Sequence, residues 1–585
     1  MEIDPVTLKV IESRLGGIVA EMQQNIFRTG YSTIVRESQD ASAMILDAEG
    51  NVVGEQVILP LHVSALPEVV RAIRARYPDL APGDAFVTNH PYLAGVTHSI
   101  DMAVASPVFI DGELVAFCAS IAHKSDLGGM VPGTGSGNAR EIFQEGVLYP
   151  PVRIRAGGRA VAEVEAIIQA NSRTPELVLG DLRGQIGTAR YGAQRLEDLA
   201  RRYGTQTLQT AMAVLQDHAE ARVRAVLASW PDGTSEGEAW VDNDGVDLDR
   251  RIYYHVRVEK RGDHLWFDFS RSADQTRGPV NILPCVVRGC CYYALLATID
   301  PSLPNNGGVA RTVSIRTRRG SVLEPVFPAP TNTYMASATA VTEAVLQALN
   351  AFVPGRQVAG MGGVGGMVIG GRRRDGSSFV QYELTGAGWG ARTGKDGVSG
   401  VSILLDNART ASIEVLETEF PVRVERFELI RDSGGPGRWR GGLGIRRQYR
   451  FLAPEGQLTL RGGKHQEGPF GVAGGRPGRP GAMILNPDGP HPQRLPSRFS
   501  GVRLVEGDVV RLEKAGGGGV GPPEERPLTR LIEDILDGYV SVEAAIAEWG
   551  ADPDQVAQGL RAWEAGAAGS AGAEGCGKAG EAPSA

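Results

Sequence analysis

The spacing of apolar residues in the first part of the chain predicts a helix followed by strands. Residues 5–28 carry apolar side chains along one helical face, and Pro5 suits the first turn of such a helix. The segments AMILDAEGNVVGE (43–55) and MAVASPVFIDGELVAFCASIAHKSD (102–126) each predict strands joined by a turn. Within the second segment, Asp111-Gly112 is a hairpin-turn signal.

The rest of the chain alternates between helical and strand-rich patterns. Helices are predicted in residues 163–228 and 336–353, a strand meander in 236–270, and short strands with glycine turns from about 410 to 515. We therefore predict an α+β protein, β-rich and multidomain, with Gly-rich turns and with helical segments in the middle and at the C-terminus. The predicted regions are an α+β region with the candidate site (1–160), a helical segment (161–232), a mixed α/β region (233–410), a β-rich region (411–526), C-terminal helices (527–563) and a disordered tail (564–585).

Composition and charge narrow the class of protein. The chain has 585 residues, of which 42% are hydrophobic and 22% charged, and its net charge is −8. This balance provides no basic surface for nucleic acid or an anionic membrane. The N-terminus lacks a signal-peptide pattern, and no apolar run approaches the roughly 20 residues of a membrane span. The five cysteines form no CxxC pair. We therefore expect a cytoplasmic protein.

Imidazoles and carboxylates are concentrated at one place in a chain with only nine histidines. His98 and Asp101 lie three residues apart in NHPYLAGVTHSIDMAV, and His123 follows His98 by 25 residues. Such ligands suit Zn, Mn or Fe(II), and two His with one carboxylate leave positions open for water or substrate. The alternative is that these side chains only form hydrogen bonds within a core. Asp40, which follows Glu37 just before an apolar strand, is either a cap or turn residue or a fourth ligand.

Three glycine-rich segments fail the phosphate-loop rule GxxxxGK[ST]. GMGGVGGMVIGG (360–371) and DSGGPGRWRGGLG (432–444) contain no lysine, and GWGARTGKDG (388–397) has Asp after its Gly-Lys pair. We predict main-chain turns in these segments, with a glycine-rich wall that a substrate approaches closely as the alternative. ATP binding by this chain is not predicted.

Seven segments, taken in order, resemble the hydantoinase B/oxoprolinase family. The resemblance spans roughly residues 3–515, and a further similar segment, DILDGYVSVEAA (534–545), lies nearer the C-terminus. The seven segments are RESQDASAMILDAEGNVV, NHPYLAGVTHSIDMAV, AHKSDLGGMVPGTGS, EIFQEGVLYPPVRI, DFSRSADQTRGPVN, GAGWGARTGKDG and DSGGPGRWRGGLG.

The resemblance implies a two-subunit enzyme. Family members are partners of a hydantoinase A-type ATPase subunit that binds ATP, and we expect an A2B2 or larger assembly. Their activities are ATP-dependent opening of cyclic amides, such as hydantoins, 5-oxoproline and caprolactam, and ATP-dependent carboxylation of ketones. We expect cyclic-amide hydrolysis here, with acetone- or acetophenone-type carboxylation as the alternative. A third hypothesis is a non-catalytic subunit that stabilises its ATPase.

The resemblance also implies a ligand set. The family's metal-binding positions match Asp40, His98, Asp101 and His123, which we expect to hold one divalent transition metal. Zn is the expected ion, and Mn and Fe are the alternatives. In the implied reaction, the partner phosphorylates the amide oxygen, and water activated at the metal attacks the amide carbon.

Further residues receive expected roles or depart from the family pattern. Glu37, Asp126 and either Glu141 or Glu145 are candidate proton relays, and Asp126 is also a candidate to orient a ligand imidazole. The departures are His90, where members usually have Asp, and Lys124, where many members have a second His.

Overall fold

The first helix begins at a capped proline and buries one face. Helix α1 (Pro5–Thr29) confirms the predicted helix, and Asp4 accepts a hydrogen bond from the Thr7 amide at 2.8 Å. Its buried face includes Ile11, Val19 and Met22 and packs on strands of the first sheet. The structure, a computed structural model, describes residues 3–573 except 57, 58, 354, 364 and 403.

A seven-stranded sheet follows α1, and its neighbouring strands are antiparallel. The strand order is β2-β1-β5-β4-β3-β6-β7. The strands are β1 (Ala41–Asp47), β2 (Val52–Gln56), β3 (Ala85–Thr88), β4 (Asp101–Ile110), β5 (Glu113–His123), β6 (Val152–Ala156) and β7 (Arg159–Ala160). The helices of this region are α2 (Thr33–Arg36), α3 (His62–Arg76), α4 (Pro91–Ala94), a 3-10 helix (Ile142–Glu145), α5 (Ala162–Ala170), α6 (Pro175–Tyr203) and α7 (Thr205–Ala228).

The hairpin of β4 and β5 has the predicted two-residue turn. Asp111 and Gly112 have φ values of 51° and 83°, the left-handed region that such hairpin turns require. Ile110 pairs with Glu113 at the tip, but a β-bulge shifts the register below it, between Val108 and Phe109. As a result, Asp101 at the start of β4 lies directly opposite His123 at the end of β5.

A second sheet, with the order β11-β10-β9-β8, packs against one largely apolar helix, which in turn packs against another. The meander predicted for residues 236–270 is confirmed, and only β10 and β11 pair in parallel. Helices α8 and α10 share one hydrophobic core with this sheet. The elements are β8 (Gly233–Val241), β9 (Ile252–Arg261), β10 (His264–Asp268), α8 (Pro284–Ile299), α9 (Gly307–Ala310), β11 (Val313–Arg316) and α10 (Tyr334–Leu349).

Two further sheets share a core in the remaining β-rich part. Their orders are β13-β12-β16-β19 and β14-β15-β20-β17-β18. The first joins strands on both sides of the boundary predicted at residue 410, because β12 pairs with β16. The elements are β12 (Gly366–Arg372), β13 (Ser378–Leu384), α11 (Ile413–Glu419), β14 (Val422–Leu429), β15 (Ile445–Phe451), β16 (Glu455–Arg461), β17 (Ala482–Leu485), β18 (Gln493–Leu495), β19 (Arg498–Val505) and β20 (Val509–Glu513).

The glycine-rich segments lie against one another rather than only forming turns. A Cβ on Gly517 would lie 1.8 Å from the Trp389 carbonyl oxygen, and one on Gly516 would lie 1.8 Å from that of Ser433. Main-chain hydrogen bonds join the segments, for example from Gly517 to Gly442 at 2.8 Å. The prediction of turns is therefore incomplete, since glycine here permits close packing of one main chain on another.

The C-terminal part is helical, as predicted. A 3-10 helix (Pro523–Glu525) precedes α12 (Leu528–Leu536), α13 (Val542–Trp549) and α14 (Pro553–Ala573). Helix α14 continues to Ala573 and therefore extends into the range predicted as a disordered tail (564–585). Residues 574–585 lie outside the described part.

Two further expectations concern cysteines and membranes. The described cysteines, Cys118, Cys285, Cys290 and Cys291, are buried free thiols, and Cys576 lies outside the described residues. Among the described helices, none is both long and apolar enough to cross a bilayer. The fold is thus an α+β assembly of four sheets within the described residues.

Candidate metal centre

Adjacent strands bring three of the predicted ligands to one end of the first sheet. β1 and β4 flank β5, with Ala41 opposite Ala122 and Asp101 opposite His123. The His123 amide donates a hydrogen bond of 3.1 Å to the carbonyl oxygen of Asp40. Residues far apart in sequence therefore become neighbours because of strand pairing.

His98 joins this group through a turn. The Asp101 amide donates to the His98 carbonyl oxygen at 3.2 Å, just before β4 begins. The His98 Nε2 atom lies 3.2 Å from Asp101 Oδ1. One potential ligand atom from each of His98, Asp101 and His123 lies within 4.8 Å of the others, and all three side chains are buried. The two histidines and the aspartate thus form a compact group in space.

Asp40 lines the same cavity as His98 and His123 but is not one of these three close residues. Its Oδ1 atom is buried, as are both ring nitrogens of His123, and none has a hydrogen-bond partner within the described residues. Burying unpaired polar atoms is costly, typically about 1–3 kcal/mol each. His98, Asp101 and His123 offer imidazole and carboxylate ligands within 4.8 Å of one another, and Asp40 lines the same cavity, so the four residues present suit a divalent transition metal.

Charge states in the group also suit metal binding. Burial lowers the pKa of His123 well below its usual range, which favours the neutral imidazole. Burial alone would raise the pKa of Asp101, but the nearby His98 and His62 hold it well below its usual range. Burial and the Asp101 charge raise the pKa of Asp40 well above its usual range. Metal binding would therefore displace a proton from Asp40.

His62 was not predicted from the sequence, yet it contacts this group. It begins α3, its Nδ1 lies 2.8 Å from Ser42 Oγ, and its Nε2 lies 3.7 Å from Asp101 Oδ2. Its side chain is fully buried, and Nε2 has no hydrogen-bond partner among the described residues. A histidine in the apolar segment LHVSALP was the available signal, but no spacing linked it to the other ligands.

The cavity beside the cluster has a volume of about 40 Å³. That is room for about three water molecules, or for an ion and a small polar group. Distant parts of the chain complete its wall, and sequence analysis missed them because they follow from tertiary packing alone. These additional lining residues include Asn332, Tyr334, Tyr382, Asp406 and Arg461.

The candidate relays lie in different surroundings. Glu37 is partly exposed and pairs with Arg36 at 2.9 Å. Glu141 is exposed and caps the 3-10 helix that begins at Ile142. Glu145 is buried, accepts hydrogen bonds from the amides of Thr331 and Asn332, and has its pKa raised to about 8 by burial. Of these three glutamates, Glu145 is the one that the structure connects to the cavity wall.

Asp126 organises a loop. It accepts hydrogen bonds from the amides of Gly128 and Gly133 at 3.0 and 2.9 Å and forms an ion pair of 2.9 Å with Arg173. These contacts do not include His98 or His123, so they give no support to its expected role in orienting an imidazole.

The two departures from the family pattern also have local partners. His90 caps α4, since its Nδ1 accepts from the Leu93 amide at 3.3 Å. Lys124 is fully buried and donates to Gln185 Oε1 at 2.5 Å, and burial lowers its pKa to about 8. Both therefore have structural explanations.

Comparison with known proteins decides the family. The profile described as Hydantoinase B/oxoprolinase matches residues 4–523. The chain belongs to the hydantoinase B/oxoprolinase family. The relatives of this hydantoinase B/oxoprolinase chain include the beta chain of the caprolactamase of Pseudomonas jessenii, 29% identical over 94% of this chain and 96% of that one. Another relative, from a Pseudomonas species, is provisionally named as one subunit of a D-/L-hydantoinase and is 31% identical over 94% of this chain and 95% of its own length.

Solved structures agree with this assignment. The ATP-dependent caprolactamase from Pseudomonas jessenii matches with a TM-score of 0.86 and 27% identity, over 94% of this chain and 96% of that one. Acetone carboxylase shares the fold, with a TM-score of 0.83 at 18% identity, over 97% of this chain and 84% of that one. The fold of this hydantoinase B/oxoprolinase member is therefore the one seen in both enzymes.

Proposed function

We propose that this chain is the metal-binding subunit of an ATP-dependent cyclic-amide hydrolase. The observation that carries the proposal is the buried group of His98, Asp101 and His123, with the unpaired nitrogens of His123 beside a cavity. The substrate class is a hydantoin, 5-oxoproline or a lactam, and a partner ATPase subunit supplies ATP-dependent phosphorylation. Relatives that are named as single subunits of a hydantoinase and of a caprolactamase support the existence of a partner.

Asp40, His98, Asp101 and His123 would hold the divalent ion, with Zn expected. Such an ion acidifies water toward neutral pH and polarises oxygen atoms. The chain's own residues maintain this site: Asn332 Oδ1 accepts a hydrogen bond from His98 Nδ1 at 3.2 Å, which leaves Nε2 free to bind. Thr97 donates to Asp101 and fixes the carboxylate. Glu145 holds the main chain of Asn332 at 2.7 Å and is placed to carry a proton.

The proposed reaction consumes two water molecules. Phosphorylation of the amide oxygen by the partner makes the ring carbon electrophilic. One water adds across the C=N bond of the phosphorylated ring, and as the C–N bond breaks its second proton also passes to the ring nitrogen, which leaves an amine and an acyl phosphate. A second water converts the acyl phosphate to a carboxylate and inorganic phosphate. The burial of the cluster would keep bulk water away from the reacting carbon.

The test is to purify the chain with its cognate ATPase subunit. ADP release and product mass are measured with hydantoins, 5-oxoproline, lactams and ketones, with and without bicarbonate. Ring-opened product without bicarbonate is expected. Carboxylated ketone that forms only with bicarbonate would replace the proposal with the carboxylase alternative, and turnover by metal-free protein would contradict the assigned role of the cluster.

A further inference from the structure

A buried arginine on the cavity wall has no carboxylate partner. Arg461 ends β16 and is only 7% exposed, and it forms no ion pair within the described residues. Its guanidinium lies over the ring of Tyr382, 4.9 Å from the centroid. A Cβ on Gly135 would lie 2.7 Å from Arg461 Cζ, so the glycine allows the main chain to pack on the guanidinium. The carboxylates of Asp101, Glu145 and Asp40 act on it only from beyond ion-pair distance. A buried charge without a direct partner is costly and favours a compensating group.

Most of the donors of this guanidinium are free. Nη1 donates to Asn332 Oδ1 at 2.6 Å and to the Asn332 carbonyl oxygen at 3.4 Å, whereas Nε is buried without a hydrogen-bond partner in the part of the chain that the structure describes. Glycine at position 366 keeps the Nη2 edge open. A Cβ on Gly366 would lie 3.0 Å from Nη2 and 2.7 Å from the Tyr382 hydroxyl. Arginine presents five N–H groups as a planar fork, the geometry that matches phosphate and carboxylate oxygens.

One amide side chain connects this arginine to the candidate metal centre. Asn332 Oδ1 accepts from Arg461 Nη1 and also lies 3.2 Å from His98 Nδ1. The Asn332 main chain is in turn held by Glu145. Because Asn332 contacts both groups, it sets the position of the guanidinium relative to the metal ligands. A molecule bound at the cluster would therefore meet Arg461 in a defined orientation.

We propose that Arg461, held by Asn332 and Tyr382, binds the phosphoryl group of the activated substrate beside the metal centre. This assignment rests on the proposed function. The phosphoryl oxygens stay with the substrate through the addition of water and the opening of the ring, so one subsite serves both stages. Inorganic phosphate, the group released last, should then occupy the same subsite and inhibit turnover.

The test uses the assembled enzyme with Arg461→Gln, Arg461→Lys and the control Arg503→Gln. Arg503 is exposed on β19, next to β16 in the same sheet. Inorganic phosphate is the probe, and its inhibition constant is measured with kcat, KM, metal content and melting temperature. We expect Arg461→Gln to weaken phosphate inhibition about 10- to 100-fold, as for loss of charge-assisted hydrogen bonds, with metal content unchanged. Arg461→Lys should retain charge but lose the fork and give an intermediate value.

The competing explanation is that Arg461 only balances the buried carboxylates. In that case Arg461→Gln would lower metal content and melting temperature together while the phosphate inhibition constant stayed the same, which would overturn the proposal. If Arg461→Gln does not fold, an unchanged inhibition constant in Arg461→Lys is the contrary result. If the wild-type assembly opens no cyclic amide, the proposed function fails; phosphate binding to the metal-loaded chain is then measured by calorimetry. Binding that depends on Arg461 would still support the subsite, and binding that does not would reject it.

Discussion

The candidate metal centre contrasts with a second buried charge cluster near the C-terminal helices. In that second cluster, here called the ion-pair network, Arg526 contacts Asp396 through two hydrogen bonds of 2.8 and 2.9 Å and Asp534 at 2.7 Å. Arg440 lies 3.2 Å from Asp534 and donates its amide to Asp396. Two arginines thus face two aspartates.

In the candidate metal centre, by contrast, both ring nitrogens of His123 and Oδ1 of Asp40 have no hydrogen-bond partner among the described residues. Both regions bury charged side chains and retain some unpaired atoms, among them Nε of Arg440 and of Arg526. Each of these arginines nevertheless has a carboxylate partner, whereas Asp40 and His123 line a cavity. Burial of charge is therefore weak evidence for function by itself, because ion pairs also perform structural roles. What distinguishes the functional candidate is that Asp40 and His123 line a cavity and have no ion-pair partner among the described residues.

The largest expected effect is from His123→Ala. The variant should lose metal and reduce ring opening by about 100-fold or more, since ligand loss is at least as severe as loss of a supporting residue. Its free energy of unfolding without metal should change by no more than about 2 kcal/mol, because the removal of two unpaired ring nitrogens offsets the packing lost against Tyr382. Metal analysis, turnover and urea unfolding check this. His218→Ala, at an exposed position on α7, is the matched control and should retain metal.

The ion-pair network should respond in the reverse way. Arg526→Met leaves Asp396 and Asp534 without their main partner and is expected to destabilise the fold by about 3 kcal/mol. The folded fraction should keep its metal and its turnover per site. Urea unfolding followed by circular dichroism, together with metal analysis, tests both statements. Loss of metal at unchanged stability would mean that the two regions are coupled.

Glu145, beside the candidate metal centre, is expected to make the free energy of unfolding depend on pH. Its folded pKa of about 8 exceeds the usual glutamate value, so the unfolded chain releases this proton at lower pH than the folded chain. Its contribution to stability therefore falls as pH rises from about 4.5 to about 8, by up to about 1.4 kcal/mol per unit. Glu145→Gln should flatten the pH dependence of the unfolding free energy measured between pH 5.5 and 7.5. Parallel curves for the two proteins would contradict the buried, protonated state.

The smallest expected effect is from Glu141→Gln. This residue is exposed and caps a short helix, so turnover should change by less than about twofold and stability by about 1 kcal/mol at most. Steady-state kinetics of the assembled enzyme provide the measurement. A large loss of turnover would restore the role that the sequence suggested for Glu141.

Local patterns in the sequence predicted much of the fold and part of the site. The helix at Pro5, the turn at Asp111-Gly112 and the grouping of His98, Asp101 and His123 follow from short-range periodicity and spacing. These three features could be predicted for one physical reason: each depends on a single helix or a single hairpin.

The missed residues depend on packing between distant elements. His62 comes from a helix, Asn332 from a loop, and Arg461 from the end of β16. Their spacing in the sequence gives no indication that they lie close together in the fold. The glycine segments were misjudged for the same reason, since their partners are other glycine segments far along the chain.

The β-bulge in the β4–β5 hairpin determines what the 25-residue interval between the two histidines means. Residues inserted at the tip, beyond Ile110 and Glu113, would lengthen the interval and leave the ligands in place. Deletion of one residue between the bulge and His123 would instead bring Lys124 opposite Asp101 and His123 opposite Met102, which turns the imidazole to the other face of the sheet. The 25-residue interval between His98 and His123 therefore reflects the length of this hairpin. We expect the site to tolerate insertions at the tip but not a change in length along the strand.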